Sequence, residues 1–230
     1  MSRRSRAGAA LAAALALCAC AEGAGFGPLA ADPAVRILSA EPSGARLDAA
    51  GAVVTVAPPA GRCLQDGAIR RHDAAAFLMI ADCAGGGPVA AVTIGAEPLH
   101  GGAEAEATIA AIRSWARTPE GRRELGMGGG ARAVSVLETR RSGDALLLRI
   151  EDRGAAAQPF PGVRFWRAFM EAGGRLAMLS LHDPENHRRA PPVALVEAQL
   201  AALRAANPVP RPAPASPAPA RTVAARPATG

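Results

Sequence analysis

The chain has 230 residues, half of them apolar, with five Phe, two Trp and no Tyr, so a core must be built from Val, Leu, Ile and Ala. That length suits one ordinary domain with flanking segments and leaves no room for a second large one. All 26 basic residues are Arg and the net charge is +6, but three Arg lie in residues 3–6 and three more beyond residue 210. Residues 32–206 hold 20 Arg against 19 acids. The folded part is therefore nearly neutral, and the electrostatic footprint of nucleic-acid binding is missing.

Arg3, Arg4 and Arg6 precede an apolar run from Ala7 to Leu17, which ends in Cys18-Ala19-Cys20. This is the three-part form of an export signal, and the run is too short to cross a bilayer as a permanent helix, which takes roughly 20 residues. Leu17-Cys18-Ala19-Cys20 resembles a bacterial lipobox. The resemblance implies lipid attached through a thioether to Cys20, cleavage after Ala19, and a partner that is the membrane itself. Cys18 as the lipidated residue fits less well because Leu17 is not small, and plain secretion with cleavage before Glu22 is the competing outcome. Two or three acyl chains hold a protein firmly, since each buried methylene contributes about 0.8 kcal/mol. In lipoproteins of this kind an Asp after the lipidated Cys retains the chain at the inner membrane; Ala21 there implies the outer membrane, facing the periplasm.

Residues 20–33 are small and Gly-rich, which predicts a flexible tether. Short β-branched or apolar runs at 35–38, 53–56, 76–81 and 89–94 predict strands. Residues 103–117 predict a helix with Ile109, Ile112 and Trp115 on one side. After Gly126-Met127-Gly128-Gly129-Gly130 the period returns to two, with strands at 133–138 and 145–151 across a turn at Ser142-Gly143-Asp144. A second hairpin pairs 163–170 with 175–181 across Gly173-Gly174, and a helix carrying Val193, Val196, Leu200 and Leu203 follows Pro191-Pro192. Residues 207–230, rich in Pro, Ala and Arg, predict a disordered tail. The expectation is a single α+β domain over 34–206, a mainly antiparallel sheet packed by two helices.

The closing unit, an Arg/Trp-bearing hairpin with a Gly-Gly turn leading to an Ala-rich helix over residues 133–206, resembles the end of PsbP-like and DcrB-like domains. That resemblance implies an α/β/α sandwich. Ala57-Pro58-Pro59-Ala60-Gly61-Arg62-Cys63 and Ala76-Phe77-Leu78-Met79-Ile80-Ala81-Asp82-Cys83 resemble alphaproteobacterial lipoproteins, a group that brings an origin and no assigned chemistry.

Cys63 and Cys83 are the thiols left after export processing, and an oxidising compartment favours a disulfide between them. They lack the Cys-x-x-Cys spacing of a redox pair. His182 and His187 stand five apart in a Pro-containing loop, which departs from the i, i+4 spacing of helical zinc sites, and His72 and His100 stand alone, so no metal or cofactor is expected. Gly-x-Ser-x-Gly does not occur, Gly126–Gly130 is not a phosphate loop, and Glu151 and Asp152 point to opposite faces of a strand. No catalytic residue is therefore assigned. Arg149, Arg164, Trp166, Arg167 and Arg175 fall on the predicted sheet and form the candidate binding surface, suited to an envelope protein or glycan through charge and stacking. The alternative for that surface is a solvated sheet face with Trp166 packed under a helix. The expected function is that of a non-enzymatic binding or assembly accessory; the alternative is a hydrolase whose site forms only in three dimensions.

Overall fold

The computed structural model describes residues 34–67, 69–72, 74–99, 102–127, 130–154 and 163–208. The expected signal sequence, the tether and the tail from residue 209 lie outside them, as do His100, Gly128 and Gly129. The described residues form an α+β fold of antiparallel strands with three helices.

β1 (Val35–Glu41), β2 (Gly44–Ala49) and β3 (Ala52–Val56) make a three-stranded meander. In β2 the small Ala45 and Ala49 point inward with Leu47 between them, while Arg46 and Asp48 point out. Short side chains make that alternation faint in the sequence, and β2 was not among the expected strands. The larger sheet runs β4 (Arg62–Leu64), β6 (Ala75–Asp82), β7 (Val89–Pro98), β11 (Arg175–His182), β10 (Val163–Ala172), β9 (Ala145–Asp152) and β8 (Val134–Ser142), with β5 (Arg70–His72) also paired to β6. From β7 the chain crosses to the far edge through α1 (Ala103–Trp115) and α2 (Pro119–Leu125), then returns strand by strand until β11 closes on β7.

α2 is a helix beyond the two expected, and its start is well specified. Thr118 accepts a hydrogen bond from the Gly121 N–H and donates to the Trp115 carbonyl, and Pro119 occupies the first turn. α3 (Val193–Ala206) begins after Pro192 and buries Val196, Leu200 and Leu203 of the expected stripe, with Val193 half-buried.

Each face of the large sheet is covered. The small sheet and α3 pack on one, around Leu47, Val54, Leu78, Leu147, Trp166 and Met170; α1 and α2 pack on the other, around Ile112, Leu125, Leu148, Phe165 and Phe169. With both faces covered, β10 is buried almost throughout instead of alternating with solvent. This corrects the alternative of a solvated sheet face for Arg167 and Arg175, both buried, while Trp166 packs with α3 as that alternative had it.

Two contacts with α3 fasten the outer edge of β3. Asn207 accepts from the Thr55 N–H at 2.8 Å and donates to the Thr55 carbonyl at 2.7 Å, so one side-chain amide stands in for a neighbouring strand. Gln199, buried, donates to the Ala57 carbonyl. Asn207, expected as the first residue of the tail, therefore belongs to the domain.

Candidate functional site

Cys63 on β4 and Cys83 just after β6 form a disulfide with their Cα atoms 4.9 Å apart. Antiparallel pairing of Cys63 with Ala81 brings the second cysteine within reach. The bond staples the short edge strand β4 to β6.

At the other edge of the large sheet, β8, β9 and β10 extend past the N-terminus of α3, leaving a groove of about 650 Å³. Its floor carries Glu138 and Arg140 from β8, Arg149 from β9, and Arg164 and Trp166 from β10; its wall is Arg189 to Val193, and Leu137 sits on its rim. Period two explains the floor. Arg149 pairs with Glu138 on one side and Trp166 on the other, and Arg164 pairs with Glu151, so these side chains share one face. A shift of register between Val136 and Glu138 leaves Leu137 bulged and exposed.

Trp166 is fixed by its indole N–H, which donates to the Pro191 carbonyl at 3.0 Å, and the Arg149 guanidinium lies 5.9 Å from the ring centroid. Arg140 pairs with Glu197 at 2.9 Å and Arg164 with Glu151 at 2.8 Å. Arg149 is less well matched: its Nε stands 3.4 Å from Glu138, and that buried atom has no aligned hydrogen bond. Arg189 is exposed and makes no ion pair among the described residues. The first turn of α3 carries no acidic residue and no side-chain cap, so its partial positive end adds to the field.

The five residues expected to share a binding surface thus divide. Arg149, Arg164 and Trp166 meet in the groove, although Trp166 is only 4% exposed and serves as floor. Arg167 points through the opposite face, where its guanidinium reaches the Glu124 and Gly126 carbonyls at the end of α2 and lies 5.7 Å from the Phe165 ring. Arg175 shares the face of Trp166 but lies at the far end of the sheet, buried under the small sheet and donating to the carbonyls of Ala49 and Ala50. Parity along β10 separates Arg167 from Arg164 and was available in the sequence. Arg140 was missed because the expected strand stopped at Glu138, two residues short of it, and Arg189 because nothing local places a loop residue.

His182, half-buried at the end of β11, has a pKa below the usual histidine value, chiefly because burial disfavours its cation; His187 repels that cation as well, and Asp183 opposes both effects. Neither histidine lines the groove. Among the described residues no three His, Cys, Asp or Glu side chains converge in a way that could hold a metal ion. No helix among them is long and apolar enough to cross a membrane. No protein-family model matches this chain, and no curated protein matches it.

Proposed function

We propose that this protein is an exported lipoprotein, cut before Cys20, anchored through lipid on that residue to the outer membrane and facing the periplasm. Its folded domain acts there without catalysis, as a binding or assembly accessory that holds an anionic partner of the envelope, protein or glycan. The address is supported by the Arg-rich start, the short apolar run and Leu17-Cys18-Ala19-Cys20.

The binding half is carried by one observation, the convergence of Arg140, Arg149, Arg164 and Arg189 around a groove floored by a fixed Trp166. Guanidinium forks match carboxylate and phosphate oxygens two at a time, and that geometry gives specificity as well as attraction. Three of the four already hold glutamates, so their orientations are set before any ligand arrives. Because these pairs are solvated, attraction to a ligand weakens as salt rises.

Capture from solubilised envelopes tests the binding half, comparing the wild type with an Arg149→Gln/Arg189→Gln double variant. Material held by the wild type, lost with the variant and released by salt is expected. The same material on both proteins, unaffected by salt, would contradict the reading. Lipid labelling tests the anchor: label is expected on the wild type and not on Cys20→Ser, whereas label on both or neither would remove the anchor from the account.

A further inference from the structure

We infer that the occupant of the groove is an extended acidic segment of a partner protein, with carboxylates on Arg149 and Arg189 and aliphatic side chains against Leu137 and Val193. This rests on the anion-binding reading above and narrows it to one class of ligand.

The lining distinguishes the candidates. A neutral sugar is held by an open aromatic face and by amide, hydroxyl or carboxylate groups that read its hydroxyls. Here Trp166 is covered by Arg149, the lining contains no Asn, Gln, Ser, Thr, Tyr or Asp, and its one carboxylate, Glu138, is paired with Arg149. What it offers besides guanidinium and that paired carboxylate is apolar: Leu137, 43% exposed, with Pro191, Pro192 and Val193. Aliphatic and acidic side chains in alternation satisfy both. The spare donors are specific too, since Arg149, its side chain 42% exposed, meets Glu138 through its buried Nε and turns its terminal nitrogens to the groove, and Arg189 has no ion pair among the described residues. The groove also borders β8, the last strand of the sheet, whose outer edge has no strand partner among the described residues, so an extended chain can lie along it.

The groove lies away from the end of the domain where the rest of the chain is attached. Ala34 bonds to Ala50, Arg175 bonds to Ala49 and Ala50, and Asn207 bonds to Thr55, so both ends of the domain lie near the β10–β11 turn. Trp166 is six residues up β10 from Ala172, about 20 Å away at strand spacing. The domain is thus joined to the rest of the chain at one pole and carries the groove toward the other.

The test titrates the full-length Cys20→Ser protein with a labelled ten-residue peptide of alternating Glu and Leu, its Gln/Leu counterpart, polygalacturonate, and phosphatidylglycerol vesicles. The Glu/Leu peptide is expected to bind and the other three probes to leave the protein free. Arg149→Gln and Arg189→Gln should each weaken binding about tenfold, which corresponds to about 1.4 kcal/mol, while Arg36→Gln on the small sheet leaves it unchanged; circular dichroism checks that each variant is folded. Arginine-dependent binding of polygalacturonate or vesicles with no binding of the peptide would overturn the protein segment and keep the anion site. Binding of no anionic probe would overturn both, and peptide binding indifferent to both variants would overturn this groove as its site.

Discussion

A Cβ placed on Gly121 would stand 1.9 Å from the Trp115 carbonyl oxygen. Alanine is ordinarily the better helix residue by about 1 kcal/mol, yet here it would drive α2 away from the end of α1 and disturb the Thr118 cap. Gly121→Ala is expected to cost about 2–3 kcal/mol in denaturant unfolding; an unchanged or higher midpoint would contradict the close approach. Arg175 is a second position where sequence intuition misleads, because a buried arginine here joins two sheets instead of meeting a ligand. Arg175→Met keeps the stem but strands two carbonyls, and a loss of about 2 kcal/mol follows. His182 carries the pH dependence. Its folded pKa lies below the ordinary 6.5, so between those two values the unfolded chain binds more protons than the folded one. Stability should therefore be fully present above 6.5, fall as pH drops toward the lowered value, and level off beneath it. Thermal unfolding across that window checks this, and His182→Gln should flatten the slope.

Helix α3 is more than a lid on the sheet. Through Asn207 and Gln199 it completes the outer edge of β3, which would otherwise present bare backbone groups. Asn207→Ala removes both bonds to Thr55 and one to the Leu203 carbonyl, and should cost about 2 kcal/mol in the same unfolding assay. Replacing Cys63 and Cys83 by Ala should cost about 3 kcal/mol by loosening the chain that the disulfide closes. These elements also show why some structure was legible in the sequence and some was not. The β10–β11 hairpin and α3 carry their signal locally, as a Gly-Gly turn and an apolar stripe. β4 and β5 are three-residue strands that exist only because β6 offers an edge, and no local pattern announces them. α2 did have a local signal, Thr118-Pro119-Glu120, and could have been found from it. The site was half legible: Arg149, Arg164 and Trp166 stood out as sheet residues, but their pairing with Glu138, Glu151 and Pro191 depends on strand order and on where a loop returns.

At the scale of the whole molecule the domain has two unlike ends. Ala34 and Asn207 both lie near the β10–β11 turn, while the arginine groove opens beside the start of α3. A protein tied down at the first end can offer the second to a partner in the surrounding space. Arg140, Arg149 and Arg164 are each held by a glutamate, which limits the net pull of the groove and makes recognition depend on geometry more than on total charge. Whether the protein meets its partner at this groove is read out by site-specific photocrosslinking in intact envelopes. One photoreactive residue would replace Leu137 on the groove rim and another Leu38, slightly more exposed, on the small sheet. A discrete adduct from position 137 that is absent from position 38, and lost when Arg149 and Arg189 are changed to Gln, is the predicted result. No adduct from 137, or the same adducts from both positions, would contradict it.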